Sequence, residues 1–117
     1  MTVGTLVIHQ GRELPTWDLW CLSATGTAID FSSGWTMPTS VVLRQSGVDD
    51  TVTATVTANA TPTGDGSGTS DVASLNVAPA NGELDAITTG PATLVVVVTH
   101  TSSGKDREFQ FPAVVRS

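Results

Sequence analysis

From Asp50 to Ala58 the chain reads DTVTATVTA, a strict two-residue alternation that only an extended strand turns into one apolar and one polar face. Val52, Ala54, Val56 and Ala58 fall on one side; Thr51, Thr53, Thr55 and Thr57 fall on the other. The same period returns wherever the sequence is regular. No window of ten residues carries apolar side chains at i, i+3, i+4 and i+7. The expectation is an all-β chain. Composition agrees: Thr, Ser, Gly and Val abound, and charged residues make up 14% against about 25% in typical soluble domains.

At 117 residues the chain fits a single domain over 1–117. Such a domain would have a radius of gyration near ~13 Å and bury roughly 65% of its unfolded surface, enough for a core without metal or disulfide staples. Its one cysteine excludes an intrachain disulfide, and one cysteine with two histidines is too few for a Cys-rich zinc module. The net charge of −6 argues against an electrostatic grip on nucleic acid or on an anionic membrane. No run approaches ~20 apolar residues, and no basic n-region with an apolar h-region opens the chain. The expectation is a soluble protein made without a signal peptide.

Successive strands are expected over Val3 to His9, Thr16 to Leu22, a short extended piece from Ala28 to Gly34, and Ser40 to Gln45 after the breaker Pro38. Gly11 and Pro15 separate the first two, and Gly26 marks a turn after the second. SGVDD, residues 46–50, reads as a turn before the alternating strand. Residues 61–71, TPTGDGSGTSD, read as an exposed, mobile loop with no apolar anchor. A strand over 71–77, a single helical turn around Glu83 to Ala86, and a hairpin of Ala92 to His100 with Asp106 to Val115 complete the chain. Pro112 places the final strand at an edge or at a bulge. About seven or eight short antiparallel strands suit an immunoglobulin-like β-sandwich, with an open barrel as the competing architecture.

Candidate chemistry is sparse. A phosphate loop would need Gly-Lys-Ser or Gly-Lys-Thr, which 61–71 lacks, and Asp65 replaces the first glycine of a nucleophile elbow around Ser67. Asp65, Ser67, Thr69 and Asp71 alternate as in a calcium loop, but the twelfth position is Asn76 and not a glutamate. His9 and His100 have no ligand or triad spacing, Cys21 reads as a small core residue, and Asp49 and Asp50 read as turn caps. Asn59-Ala60-Thr61 matches a glycosylation sequon that a chain without a secretion signal would not use. No enzyme activity, cofactor or metal is expected.

Apolar surface says more. Leu94 to Val98 supplies five apolar residues in a row. With Leu94, Val96 and Val98 inward, Val95 and Val97 point outward, to be covered by neighbouring side chains or by a partner. Trp17 and Trp20 lie on opposite faces of one regular strand, so one of them reads as an interface anchor. The expected interface residues are Trp20, Val95 and Val97.

The order of motifs resembles the immunoglobulin-like domain of phage baseplate upper proteins and related tail proteins. The resemblance is carried by Gly11 and Pro15 at the start and by Gly26-Thr27-Ala28-Ile29-Asp30-Phe31-Ser32-Ser33-Gly34. Pro91-Ala92-Thr93-Leu94 and Phe109-Gln110-Phe111-Pro112 complete it. The long loop 61–71, and Thr93-Leu94 in place of Gly-Tyr, depart from that pattern. The resemblance implies a structural virion protein of a tailed phage, made in the host cytoplasm. It would assemble at the tail tip or baseplate with other phage structural proteins, as a homo-oligomer or in a symmetric assembly. A capsid decoration protein is the alternative within the same class. A carbohydrate-binding module stacking sugar on Trp17, Trp20 or Trp35 is the alternative from another.

Overall fold

A computed structural model describes residues 5–12 and 16–117. Eight strands make up its regular structure: β1 Leu6–His9, β2 Trp17–Leu19, β3 Trp35–Thr36, β4 Ser40–Gln45, β5 Val48–Ala58, β6 Leu75–Pro79, β7 Gly90–His100 and β8 Asp106–Arg116. Hydrogen-bonded neighbours run β1-β8-β7-β4-β5-β6-β2, with β3 added to the end of β7. The described residues contain no helix. This is an all-β sandwich, as expected, and its radius of gyration is 13.8 Å.

β5 joins the two layers. Val48 to Thr53 pair with β4, whereas Ala54 to Ala58 pair with β6. At the crossing point the Ala54 amide donates to the Thr39 carbonyl at 3.1 Å, and the Ala80 amide donates to the Thr53 carbonyl at 2.8 Å. The alternation survives the crossing: Val52, Ala54 and Val56 are buried and every threonine between Thr51 and Thr57 is exposed. Leu43, Leu94, Val96 and Val98 of the first layer meet Leu75 and Val77 of the second, all fully buried. Ile8 and Val115 close one side of this core, where β1 lies on β8.

The β1 and β8 pair is parallel, Leu6 opposite Ala113 and His9 opposite Arg116, so the sandwich is not antiparallel throughout. Val3 and Gly4 of the expected first strand, and the expected breaker Pro15, lie outside the described residues. The second strand is shorter than expected, ending at Leu19, with Leu22 reaching only an isolated bridge to Ala28. Residues 28–34 form no strand; the extended pairing begins at Trp35. The expected helical turn at Glu83 to Ala86 is a pair of tight turns, in which Glu83 donates to the Ala80 carbonyl at 3.2 Å and Asp85 to Gly82 at 3.3 Å.

The turn expected over 46–50 contracts to two residues. Gln45 stands opposite Val48, and Ser46 and Gly47 have φ of 49° and 78°. Two successive positive φ values define the type I′ turn whose twist matches that of paired strands. Val48, Asp49 and Asp50 therefore belong to β5. Asp49 lies opposite Arg44 and accepts from its Nε at 2.7 Å, a cross-strand ion pair where a turn cap was expected.

Candidate functional site

Among the described residues, β1 and β2 end the strand order and no strand closes the seam between them. Among the described residues β1 accompanies β8 from Ala113 onward, and Phe109 to Pro112 line the seam from one side. Asp18 to Leu22 face it from the other. The result is a groove of about 420 Å³. Trp20, Leu22, Phe109 and Phe111 are half-buried along it, while Leu19 and Cys21 form its buried floor. Asp18, Asp65 and Gln110 supply its polar margin.

Alternation explains which tryptophan faces the groove. Trp17, Leu19 and Cys21 are 5%, 3% and 1% exposed and point into the core, as their spacing predicts, which turns Trp20 to the opposite side. The Trp20 indole N–H donates to the Thr63 carbonyl at 3.2 Å, linking the groove to the start of loop 61–71. With Trp17 in the core and Trp35 packed edge-on against Phe31 and His100, the three tryptophans form no common stacking platform.

Loop 61–71 is anchored by polar groups instead of apolar ones. The Asp71 carboxylate accepts backbone N–H groups from Gly66 and Gly68, each at 3.0 Å, and from Asp65 at 3.3 Å. Gly64, at φ 69°, packs so close to Asp71 that a Cβ there would collide with the carboxylate. Asp65 accepts from the Ser67 amide and hydroxyl, which hold its carboxyl below the ordinary range. The oxygens that read as calcium ligands thus serve the loop's own amides.

The remaining candidate residues are scattered. Burial pushes the Cys21 thiol up to about 12, against a smaller lowering by Arg107. Ser74, fully buried, accepts from the Cys21 amide at 3.2 Å and donates to the Cys21 carbonyl at 3.4 Å, fixing the strand across the core. The Nδ1 of His100 lies 3.0 Å from the Ser103 hydroxyl and 3.2 Å from that of Ser102, while His9 is exposed on β1. Asn59, the sequon residue, donates its amide to the Ala73 carbonyl at 3.1 Å. Among the described residues, no three His, Cys, Asp or Glu side chains converge.

The expected interface residues separate. Trp20 lies in the groove, half-buried. Val95 takes the face opposite Leu94 and Val96 but is only 4% exposed, between its cross-strand neighbours Val42 and Gln110. Val97, opposite Glu108, is half-buried. The outer valines are therefore covered largely by the flanking strands of their own subunit. Phe109 and Phe111 enter the sequence reading as part of a motif and not as interface residues. DREFQFP shows their shared face by alternation, but it does not show which strand lies beside them.

Comparison with protein-family models, with curated proteins and with solved structures finds no match for this chain.

Proposed function

We propose that the chain is a structural protein that enters an assembly through the seam groove, and that the assembly is the virion of a tailed phage, at its tail tip or baseplate. The observation that carries the assembly reading is the half-buried row of Trp20, Phe109 and Phe111 beside an apolar groove. Covering such a row stabilises a contact by about 25 cal/mol per Å² before the costs of association. The phage setting rests on the motif order of residues 26–34, 91–94 and 109–112. The interface moves accordingly from Val95 and Val97 to the seam, with Trp20 retained.

The test introduces Trp20→Ser and Phe111→Asp separately. Folding is followed by far-UV circular dichroism, and incorporation into particles by co-sedimentation. Folded variants that stay out of particles support the reading. Normal incorporation of both rejects the groove as the assembly surface.

A further inference from the structure

Asp65-Gly66 is the one Asp-Gly pair in the sequence. In such a pair the backbone nitrogen after the aspartate can attack its carboxyl, because glycine has no side chain to crowd the closing five-membered ring. The Gly66 nitrogen bonds to the Asp65 Cγ, the OH of the protonated carboxyl leaves as water with the amide proton, and a succinimide forms. Water then opens the ring at either carbonyl. One product is the original aspartate; the other is isoaspartate, whose backbone runs through the former side chain and is one methylene longer. No further reactant is needed.

The fold occupies both reacting groups. The Gly66 N–H donates to the Asp71 carboxylate at 3.0 Å. The amides of Asp65 and Gly68 converge on the same carboxylate oxygen at 3.3 and 3.0 Å, so the backbone on either side of Gly66 is tied to one point. A carboxylate is too weak a base to remove a peptide proton, so this contact restrains the Gly66 amide and does not activate it. Asp65 itself accepts from the Ser67 amide at 3.0 Å and from its hydroxyl, contacts that favour the ionised carboxyl, the form the nitrogen does not attack.

The pair sits where a change would be felt. Asp65 lines the seam groove, and two residues before it the Thr63 carbonyl accepts the Trp20 indole N–H. A backbone lengthened at 65 would shift the groove's polar margin together with that contact.

We propose that Asp65-Gly66 is a latent isoaspartate site on the groove margin, and that Asp71 keeps it closed in the folded chain. The proposal goes beyond the assembly reading and does not depend on it.

The full chain is aged near pH 6 at 37 °C, folded and in guanidinium, then unfolded and cut with a protease that cleaves before aspartate but not before isoaspartate. The fragment from Asp50 to Ser70 left uncut at position 65, measured by mass spectrometry, counts the modified chains. The folded chain should react about tenfold more slowly than the unfolded one, the ratio expected of a charge-assisted hydrogen bond to the reacting amide. Asp71→Ala, with its β-rich spectrum retained, should remove most of that gap. Asp71→Asn keeps an acceptor oxygen without the charge and should fall between. Ser67→Ala leaves the amides on Asp71 and should accelerate the reaction less than Asp71→Ala. A folded Asp71→Ala chain that ages as slowly as the parent overturns the proposal, and so does one that ages more slowly, which would make Asp71 a base for the attack. A parent chain that ages equally fast folded and unfolded, or a Ser67→Ala effect as large as that of Asp71→Ala, overturns it too. If Asp71→Ala does not fold, Asp71→Asn decides, and a rate equal to the parent's is the overturning result. None of these outcomes touches the incorporation test with Trp20→Ser and Phe111→Asp.

Discussion

β7 and the first half of β8 lie side by side, yet they treat apolar residues in opposite ways. β7 carries the most apolar run in the chain, Leu94 to Val98, with β4 and β8 on its two sides. Its outward Val95 is as buried as a core residue. β8 reads as mixed polar and aromatic; its Phe109 and Phe111 pack against the core yet stay half-buried, and no described strand pairs with that part of its outer edge. Hydrophobicity along one strand thus says less about a contact surface than the count of its neighbours.

Substitution should break or uphold this contrast directly. Val95→Asp places a charge where the flanking strands leave no water, and it should destabilise the fold by about 3–5 kcal/mol, read as a lowered urea midpoint or outright unfolding. Phe111→Asp, at the open edge, should lose about 1–2 kcal/mol and keep its β-rich spectrum. Equal losses at the two sites would erase the difference between centre and seam.

A smaller effect separates two glycine turns. Gly64 and Gly104 have φ of 69° and 68°, but only at Gly64 would a Cβ strike a carboxylate, that of Asp71. Gly104→Ala should cost about 1 kcal/mol for its backbone alone. Gly64→Ala should cost about 2 kcal/mol and release the amides gathered on Asp71, measured as a lower melting temperature and faster proteolysis in 61–71. Equal costs would mean that the Asp71 cluster does not hold the loop.

Cys21 sharpens the contrast from beneath, since it lies on the groove floor yet is 1% exposed. A disulfide reagent at pH 8 should leave it unmodified until denaturant is added; labelling in the native state would show the seam opening. Its folded pKa, about 12, stands above the ordinary value of 9.0, so the native state keeps a proton that the unfolded chain releases. Stability is then unaffected below pH 9 and falls as pH rises toward 12, by up to about 1.4 kcal/mol per unit. Cys21→Ser should lessen that alkaline slope in urea titrations.

The smallest effect belongs to the surface. Ser32, Arg44 and Ser67 hold the carboxyls of Asp30, Asp49 and Asp65 below the ordinary range. Their contribution is present at neutral pH and is lost as pH falls through those lowered values. Asp49→Asn should leave the melting temperature at neutral pH nearly unchanged, since the Arg44 pair is exposed and screened by water. A clear drop would show that the outer face over β4 and β5 carries more than solvation.

Elements made by local alternation were legible in the sequence. β4, the centre of β5 and the β7 and β8 hairpin follow from their own residues, as does the inward set Trp17, Leu19 and Cys21. The turn at Ser46 and Gly47 is shorter than expected because Asp49 and Asp50 are turn formers by habit, while here two successive positive φ values close the turn in two residues and leave both aspartates in β5. The anchoring of loop 61–71 is not legible because a carboxylate collecting amides of its own loop leaves no periodic trace. Long-range placement was not legible either. Phe31 meets Phe109 with ring centres 5.6 Å apart, and Trp35 meets His100 at 5.0 Å, contacts that depend on sheet order and not on any local pattern. The groove belongs to the same class, since Asp18 to Leu22 and Phe109 to Pro112 meet there only through the sheet order.

The parallel pairing of β1 with the end of β8 imposes an order in time. At roughly 5–20 residues per second, a ribosome makes Leu6 about five to twenty seconds before Ala113, its partner across the sheet. Through that interval Ile8, fully buried in the finished fold, has no seat, because Val115 has not been made. β4 and β5, joined by a two-residue turn, can pair as soon as both emerge. The earliest-made strand is thus among the last to dock, and a nascent chain stalled before residue 113 would display β1 to chaperones and proteases.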